Sequence, residues 1–469
     1  MNTFQILGII ITLAVFVGLS IYAGTRVKTA ADFESGGGKT GALIVAGTIM
    51  GTLVGGTSTV GTAQLAYNYG MSAWWFTLGG GIGCLILAIG FVKPFRNANT
   101  ATLVGMVSKE YGKTSGMLAS VLSSIGIFIN ILSQLLSGVA AIFVIAPFLG
   151  TIPALIISAL LMVAYVVLGG IKGAGMVGVL KLILLYFTVV FCAISILFIT
   201  GGLSPLLADI SKIDMHTGLF ARGYGTDVGA ALSLIFGVIT TQTYGQALMA
   251  GKSDQTARAG ALISAIMIPP VGICGILVGL YMRTQPIPEG FDSAKMALTA
   301  MTEFIANHVP SFLGGVMLAT LIFAAVGTGA GLALGISTII NNDIIKKLSK
   351  KPADTKKDLL ISRFLIIIVL SVAVVLAALL GKEAIQNFAY MSMGLRGAVM
   401  LIPLLMALFA KGKVDKKFII ASIVISPIVV LIIGIVPALK NAIPFDGLFI
   451  GIAISFVICM TGLVATKKH

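Results

Sequence analysis

The chain has 469 residues, 58% of them hydrophobic and 10% charged, with a formal net charge of +15. Soluble domains carry about 25% charged residues, so this composition excludes a soluble enzyme or binding module. The basic excess lies in short connections between apolar runs rather than in one patch, which excludes a nucleic-acid surface.

Apolar runs close to the ~20 residues that cross a bilayer recur along the chain. They predict an all-α polytopic membrane protein of about 13 transmembrane helices, at 4–23, 42–69, 73–95, 115–147, 152–170, 175–201, 228–250, 258–283, 311–344, 359–380, 384–410, 418–438 and 447–466. The first span has no basic n-region and no clear small-residue cleavage site, so it reads as a retained helix. The second, "GTIMGTLVGGTSTVGTAQLAY", places Gly51, Gly55, Gly56 and Gly61 among small hydroxyl residues. The seventh, "LSLIFGVITTQTYGQALMAGKSD", carries Gly237, a polar run from Thr240 to Thr243, and Gly245. Unwound backbone at membrane depth is tolerated only where it lines a cavity. Two such segments five spans apart fit two five-helix halves of inverted topology, the sequence pointer to a transporter site. Between Arg283 and Pro310, "SAKMALTAMTEFIANHV" predicts a short amphipathic helix lying over the bundle.

Two cations fall deep inside spans, away from the span ends. Lys181 lies six residues into "GMVGVLKLILLYFTVVFCAISILFI", about 9 Å from the helix end. Arg396, in "NFAYMSMGLRGAVMLIPLLMALF", lies ~18 Å from its helix start, near the midplane. Such charges face the bundle interior and pair with something. All 16 carboxylates map to loops or span ends, so the partner of Arg396 is either backbone carbonyls at a broken helix or an anionic substrate. A guanidinium holds a carboxylate through two parallel hydrogen bonds. The unwound "GGTSTVG", with Gly55 and Gly56, offers free amides to the same anion. Gln134 is either a substrate contact or helix–helix glue. The cysteines Cys84, Cys192, Cys274 and Cys459 are scattered within spans and read as apolar filler. His216, His308 and His469 fall outside the spans, and no carboxylate pair or Ser/His constellation lies at membrane depth, so an intramembrane enzyme is not expected.

With the N-terminus outside, the inner connections and tail hold 23 Lys and Arg and the outer ones 6, while acids split 8 and 8. That is the positive-inside pattern. It predicts a cytoplasmic-membrane protein with its N-terminus outside and its C-terminus in the cytoplasm. The run "KKLSKKPADTKKD" reads as a solvated inner loop and topology determinant.

On "ADFESGGGKTG", "GQALMAGKSDQTARAGALI", "NNDIIKKL" and "MSMGLRGAVMLIPLLMALFAKGK", taken in order, the sequence resembles the sodium:solute symporter family. Gln246 stands where that family usually has arginine. The resemblance implies one transmembrane domain with the inverted-repeat (five plus five helix) transporter fold. Residues 1–41 form the leading helix and inner loop, 42–201 the first repeat, 228–410 the second, and 411–469 two trailing helices. It implies substrate contacts at Leu53, Thr57 and Ser58, and an aromatic inner gate at Phe236. It also implies a sodium site built from backbone carbonyls of Gly51 and Val54 with Ala324 and Thr328. In that site Gly327 replaces an expected serine, Gly178 replaces an expected aspartate, and Lys181 adds a cation nearby. Sodium wants several hard oxygens, and some transporters of the wider superfamily that do not use sodium carry a lysine on the same helix. Two readings of Lys181 remain: its stem snorkels toward water, or its ammonium replaces the ion. Desolvation disfavours a lysine's charged form, so such a group can load and release a proton.

The function expected is secondary active transport of a small, carboxylate-bearing organic solute by alternating access, either proton-coupled or sodium-independent. The alternatives are a conventional sodium-coupled symporter and, more remotely, a channel or transporter-derived sensor. No cofactor is expected beyond a coupling ion, H+ or Na+; the partners expected are the solute and membrane lipid, with the oligomeric state open.

Overall fold

The computed structural model describes residues 2–24, 40–100, 102–213, 218–289, 291–345, 355–380, 385–436, 439 and 446–466. The chain opens with α1 (Thr3–Gly24) and α2 (Ala42–Leu53), then a π-turn (Thr57–Gly61) leading into α3 (Thr62–Tyr69). There follow α4 (Trp75–Ile86, running on through a π-turn to Asn97), α5 (Leu103–Tyr111), α6 (Lys113–Ile145), α7 (Thr151–Thr200) and α8 (Leu203–Ser211). The second half holds α9 (Tyr224–Thr240), α10 (Gln242–Ala250), α11 (Asp254–Thr284), α12 (Ser293–His308) and α13 (Ser311–Ile339). The chain ends on α14 (Thr355–Leu380), α15 (Ile385–Phe409), α16 (Lys416–Ile435) and α17 (Gly447–Thr466).

Among the described residues, nine helical stretches are long and apolar enough to span a bilayer, and the bent pair α9–α10 makes a tenth. The remaining expected spans fall on α1, α2 and the first arm of α7. One expectation is corrected. The gap between the spans 152–170 and 175–201 is helical, so α7 is continuous over 50 residues. It cannot be straight. A methyl group placed on Gly327 would lie 3.5 Å from Lys181 Cδ and 3.6 Å from Tyr165 Oη. On a straight helix those two residues would stand about 24 Å apart. The backbone therefore bends sharply between them, and the two expected spans are the arms on either side of the bend. "ADFESGGGKTG" up to Lys39, His216, part of the "KKLSKKPADTKKD" loop and the C-terminal His469 lie outside the described residues.

Helix ends follow local chemistry. Thr102, Ser253, Asp292 and Asp415 each accept a backbone N–H in the first turn of the helix that follows. α7 stops at Gly201, whose φ of 74° is the left-handed C-cap conformation. In lipid there is little hydrophobic drive between helices, and small residues permit close packing instead. α13 shows this: every residue from Met317 to Ile339 is buried, because α1, α6 and α7 surround it. α14, α16 and α17 instead expose Phe364, Leu379, Ile425 and Val457, as lipid-facing helices do. The expected amphipathic segment is α12. It buries Met296, Ala300, Met301 and Phe304 and packs on α3 and α11, covering one end of the first broken helix.

Candidate functional site

The first broken helix carries most of the expected site. α2 stops at Leu53 because Val54 turns to an extended conformation, with φ −89° and ψ 92°. Gly55 and Gly56 are required there by close approach. A methyl group on Gly55 would lie 2.7 Å from Thr328 Cβ and 3.0 Å from Gln134 Oε1; one on Gly56 would lie 2.6 Å from Ser137 Oγ. The freed amides find side chains. Gly55 N donates to Ser58 Oγ at 2.9 Å, and Gly56 N donates to Gln134 Oε1 at 3.1 Å. Gln134 Nε2 in turn donates to Thr57 Oγ1 at 2.7 Å, which also meets Ser133 Oγ at 2.9 Å. Gly55, Gly56, Thr57, Ser58 and Gln134 thus converge in one buried polar knot between the unwound segment and α6. Leu53 faces away from it. A methyl on Gly80 of α4 would lie 3.0 Å from Leu53 Cδ2.

Lys181 comes from the second arm of α7 and does not snorkel. Its side chain is 1% exposed. Its Nζ donates to Ala324 O at 3.1 Å, to Thr328 Oγ1 at 3.0 Å and to Gly51 O. Three of the four residues of the expected sodium site therefore bind the ammonium instead. Val54, the fourth, is buried beside them as the extended link. Gly51 O belongs to the last turn of α2, where carbonyls lack intrahelical partners and the helix dipole favours a cation. Gly327 leaves the room that the lysine stem fills. With its oxygens already engaged by Nζ, the residual site does not fit sodium as well.

The second break lies at Thr241, with φ −79° and ψ 122°, between α9 and α10, which bend by 46°. Arg396 belongs to this break, not to the first. Its Nη1 donates to Thr241 Oγ1 at 2.6 Å, its Nε to Ser392 O at 3.2 Å, and its Nη2 to Ser392 Oγ and Met393 Sδ, each at 3.0 Å. The side chain is fully buried. Of five guanidinium N–H groups, these bonds use four, one of them on a thioether, a weak acceptor. Among the described residues no carboxylate pairs with Lys181 or Arg396; ion pairs such as Arg222–Asp227 and Arg96–Asp254 lie at helix ends. Phe236 has its described neighbours on α15 and α17. A methyl on Gly397 would lie 3.1 Å from its Cβ, and it lines an apolar cavity of about 310 Å³ with Leu448, Ile452 and Phe456.

Several contributors escaped sequence reasoning. Thr241 and Ser392 hold Arg396, Ser133 completes the polar knot, and Gln386 donates to Thr62 Oγ1 at 2.9 Å from the start of α15. Thr241 sat within a polar run already singled out. Ser133 adjoins Gln134, a signal that was available. Ser392 and Gln386 carry no sequence signal of their own.

The profile of the sodium:solute symporter family matches residues 33–426. The chain is 23% identical over 436 residues to high affinity choline transporter 1 of Homo sapiens, covering 87% of this chain and 73% of that one. It is 24% identical over 446 residues to the sodium/sialic acid symporter SiaT of Proteus mirabilis (strain HI4320), covering 89% and 87%. Among solved structures, a Na+-coupled sialic acid symporter in a substrate-bound outward-open state superposes with a TM-score of 0.82 at 19% identity, covering 100% of this chain and 98% of that one. MHP1, a nucleobase-cation-symport-1 family transporter in a closed conformation with bromovinylhydantoin bound, superposes at 0.58 with 12% identity, covering 93% and 94%. These likenesses carry the inverted-repeat fold.

Proposed function

The chain belongs to the sodium:solute symporter family, and from that premise we propose that it moves a small carboxylate-bearing organic solute across the cytoplasmic membrane without sodium at the residual site. The observation that carries this reading is the Lys181 ammonium, bonded to Gly51 O, Ala324 O and Thr328 Oγ1. A cation tethered to the chain replaces one that would have to bind and leave. Those partners lie on two elements, α2 and α13. When the site opens to one side, the ammonium loses part of its shell and meets water there, where it can exchange a proton. Transport is then proton-driven or facilitative.

The solute class rests on Arg396. Among the described residues one Arg396 N–H has no acceptor and a neighbouring one rests only on Met393 Sδ, beside the break at Thr241. A carboxylate can take both at once, displacing only a thioether. The N-terminus outside and C-terminus inside follow from the charge distribution.

The test is uptake into proteoliposomes under a sodium gradient alone, a pH gradient alone, and neither. A thermal-shift screen against carboxylates, amino acids and sugars first identifies the solute. Uptake should respond to pH or to neither gradient. Strong stimulation by sodium with no response to pH would restore the sodium-coupled reading that the name of the Proteus mirabilis relative suggests.

A further inference from the structure

A separate space of about 520 Å³ opens at the end of the bundle where α6 gives way to α7, along the flank of α12. Ligand pockets commonly run from about 300 to 1,000 Å³. One wall is formed by Phe143 of α6 and by Gln5 of α1, which is buried and donates from Nε2 to Ala306 O at 2.8 Å. The facing wall is a stripe of α12. Lys295, Glu303 and Asn307 recur there at multiples of four residues, which places them on one helix face.

The two charges on this stripe are opposite, and neither is ion-paired among the described residues. Lys295 Nζ stands 4.0 Å from the centre of the Phe291 ring. Among the described residues Glu303 Oε2 accepts from Asn307 Nδ2 alone, at 2.9 Å. Burial pushes the Glu303 carboxyl above the ordinary glutamate range. The Lys295 charge offsets only part of that burial, and a half-buried carboxylate with no cation in contact gains from one brought to it. The backbone positions of Lys295 and Glu303 stand about 12 Å apart along the helix; Lys295 turns toward Phe291 and Glu303 toward Asn307, so neither side chain closes that distance. An extended dipeptide spans about 7 Å and, with a hydrogen bond of about 2.8 Å at each end, reaches across it where a single amino acid falls short.

We propose that this cavity binds a zwitterion of dipeptide size, with its ammonium on Glu303, its carboxylate on Lys295 and its apolar body against Phe143 and Phe291. The site shares no residue with the Lys181 or Arg396 constellations. Because α12 packs on α3, its occupant joins the cover of the first broken helix to α1 and α6.

The test is the melting temperature of the purified full-length chain titrated with alanyl-alanine, with its N-acetyl form and with its C-terminal amide. Alanyl-alanine should give a saturable rise, and each blocked form should bind about tenfold more weakly or worse. Lys295→Gln and Glu303→Gln should each lose the response while melting unliganded near the native temperature. Should a variant fail to fold, the blocked peptides on the native chain still decide the question. Absence of a saturable rise, or an equal response to the blocked forms, overturns the proposal. So does a response unchanged in both variants, which would move the peptide to the central site.

Discussion

If the Lys181 ammonium takes the place of sodium, removing it should create a sodium-binding site. Lys181→Ala deletes three hydrogen bonds from Nζ. A buried acceptor left unsatisfied costs about 1–3 kcal/mol, but Gly51 O keeps a bond from Thr328 Oγ1 at 3.3 Å, and Ala324 O lies inside the helical run of α13. The loss is therefore nearer the low end, about 2–4 kcal/mol. Relief from burying an ammonium returns several kcal/mol, so the variant should fold. It leaves Gly51 O, Ala324 O and Thr328 Oγ1 around a space open to a small cation, and Gly327→Ser adds a fourth oxygen where a methyl has ordinary clearance. Sodium at ten times its dissociation constant would stabilise the double variant by about 1.4 kcal/mol, and at a hundred times by about 2.7 kcal/mol. The assay is melting temperature in NaCl against KCl at equal ionic strength. The native protein should melt alike in both, and Lys181→Ala/Gly327→Ser should melt higher in NaCl. A native protein stabilised by NaCl over KCl, with the difference lost in Lys181→Ala, would refute the reasoning.

Lys181→Arg should keep the charge permanently on and stall the cycle, so uptake falls while the protein still folds; wild-type uptake rates in this variant would remove the lysine from proton exchange. If Arg396 holds the solute carboxylate, Arg396→Lys should weaken uptake and Arg396→Gln should cost about 3 kcal/mol, roughly a hundredfold in affinity; a folded Gln variant with native affinity for an anionic solute, or a solute that proves to be an uncharged sugar, ends that assignment. Gly56→Ala should destabilise by about 1–3 kcal/mol through overpacking on Ser137 and Ala325, and Ser137→Gly should restore part of that loss; melting of the single and double variants checks the coupling. Cysteines placed at Met1 and His469 in a cysteine-free background should label from opposite sides, and labelling from one side only would rule out an odd number of spans.

The spans and both breaks were legible because glycine and hydroxyl residues at membrane depth are costly unless they serve a cavity. The break at Val54–Gly56 fell among the quoted glycines, and the one at Thr241 within the quoted polar run. Lys181 was legible for a different reason: its position relative to Gly51, Ala324 and Thr328 followed from resemblance, and the geometry places Nζ on all three. The link between the arms of α7 was not legible. The hydrophobic pattern leaves a gap between the spans 152–170 and 175–201, yet the backbone there stays helical while bending. The partners of Arg396 were also hidden. Ser392 lies one turn away on the same helix, but Thr241 is 155 positions distant and meets it only through the packing of α9 on α15.

A cation that belongs to the chain never crosses the membrane as cargo. In a sodium symporter the ion's charge travels with the solute; if the Lys181 ammonium takes the ion's place, as proposed, the binding site carries that charge back and forth and the net transfer without protons is the solute alone. An anionic solute entering unaccompanied would move one negative charge against an inside-negative potential, at about 2.3 kcal/mol per 100 mV. Facilitative operation would therefore run such a solute outward at rest. One accompanying proton makes entry electrically silent, and two let the potential drive it. On that reading the number of protons accompanying each solute decides how the membrane potential acts beside the solute and pH gradients, and the sodium gradient drops out of the balance.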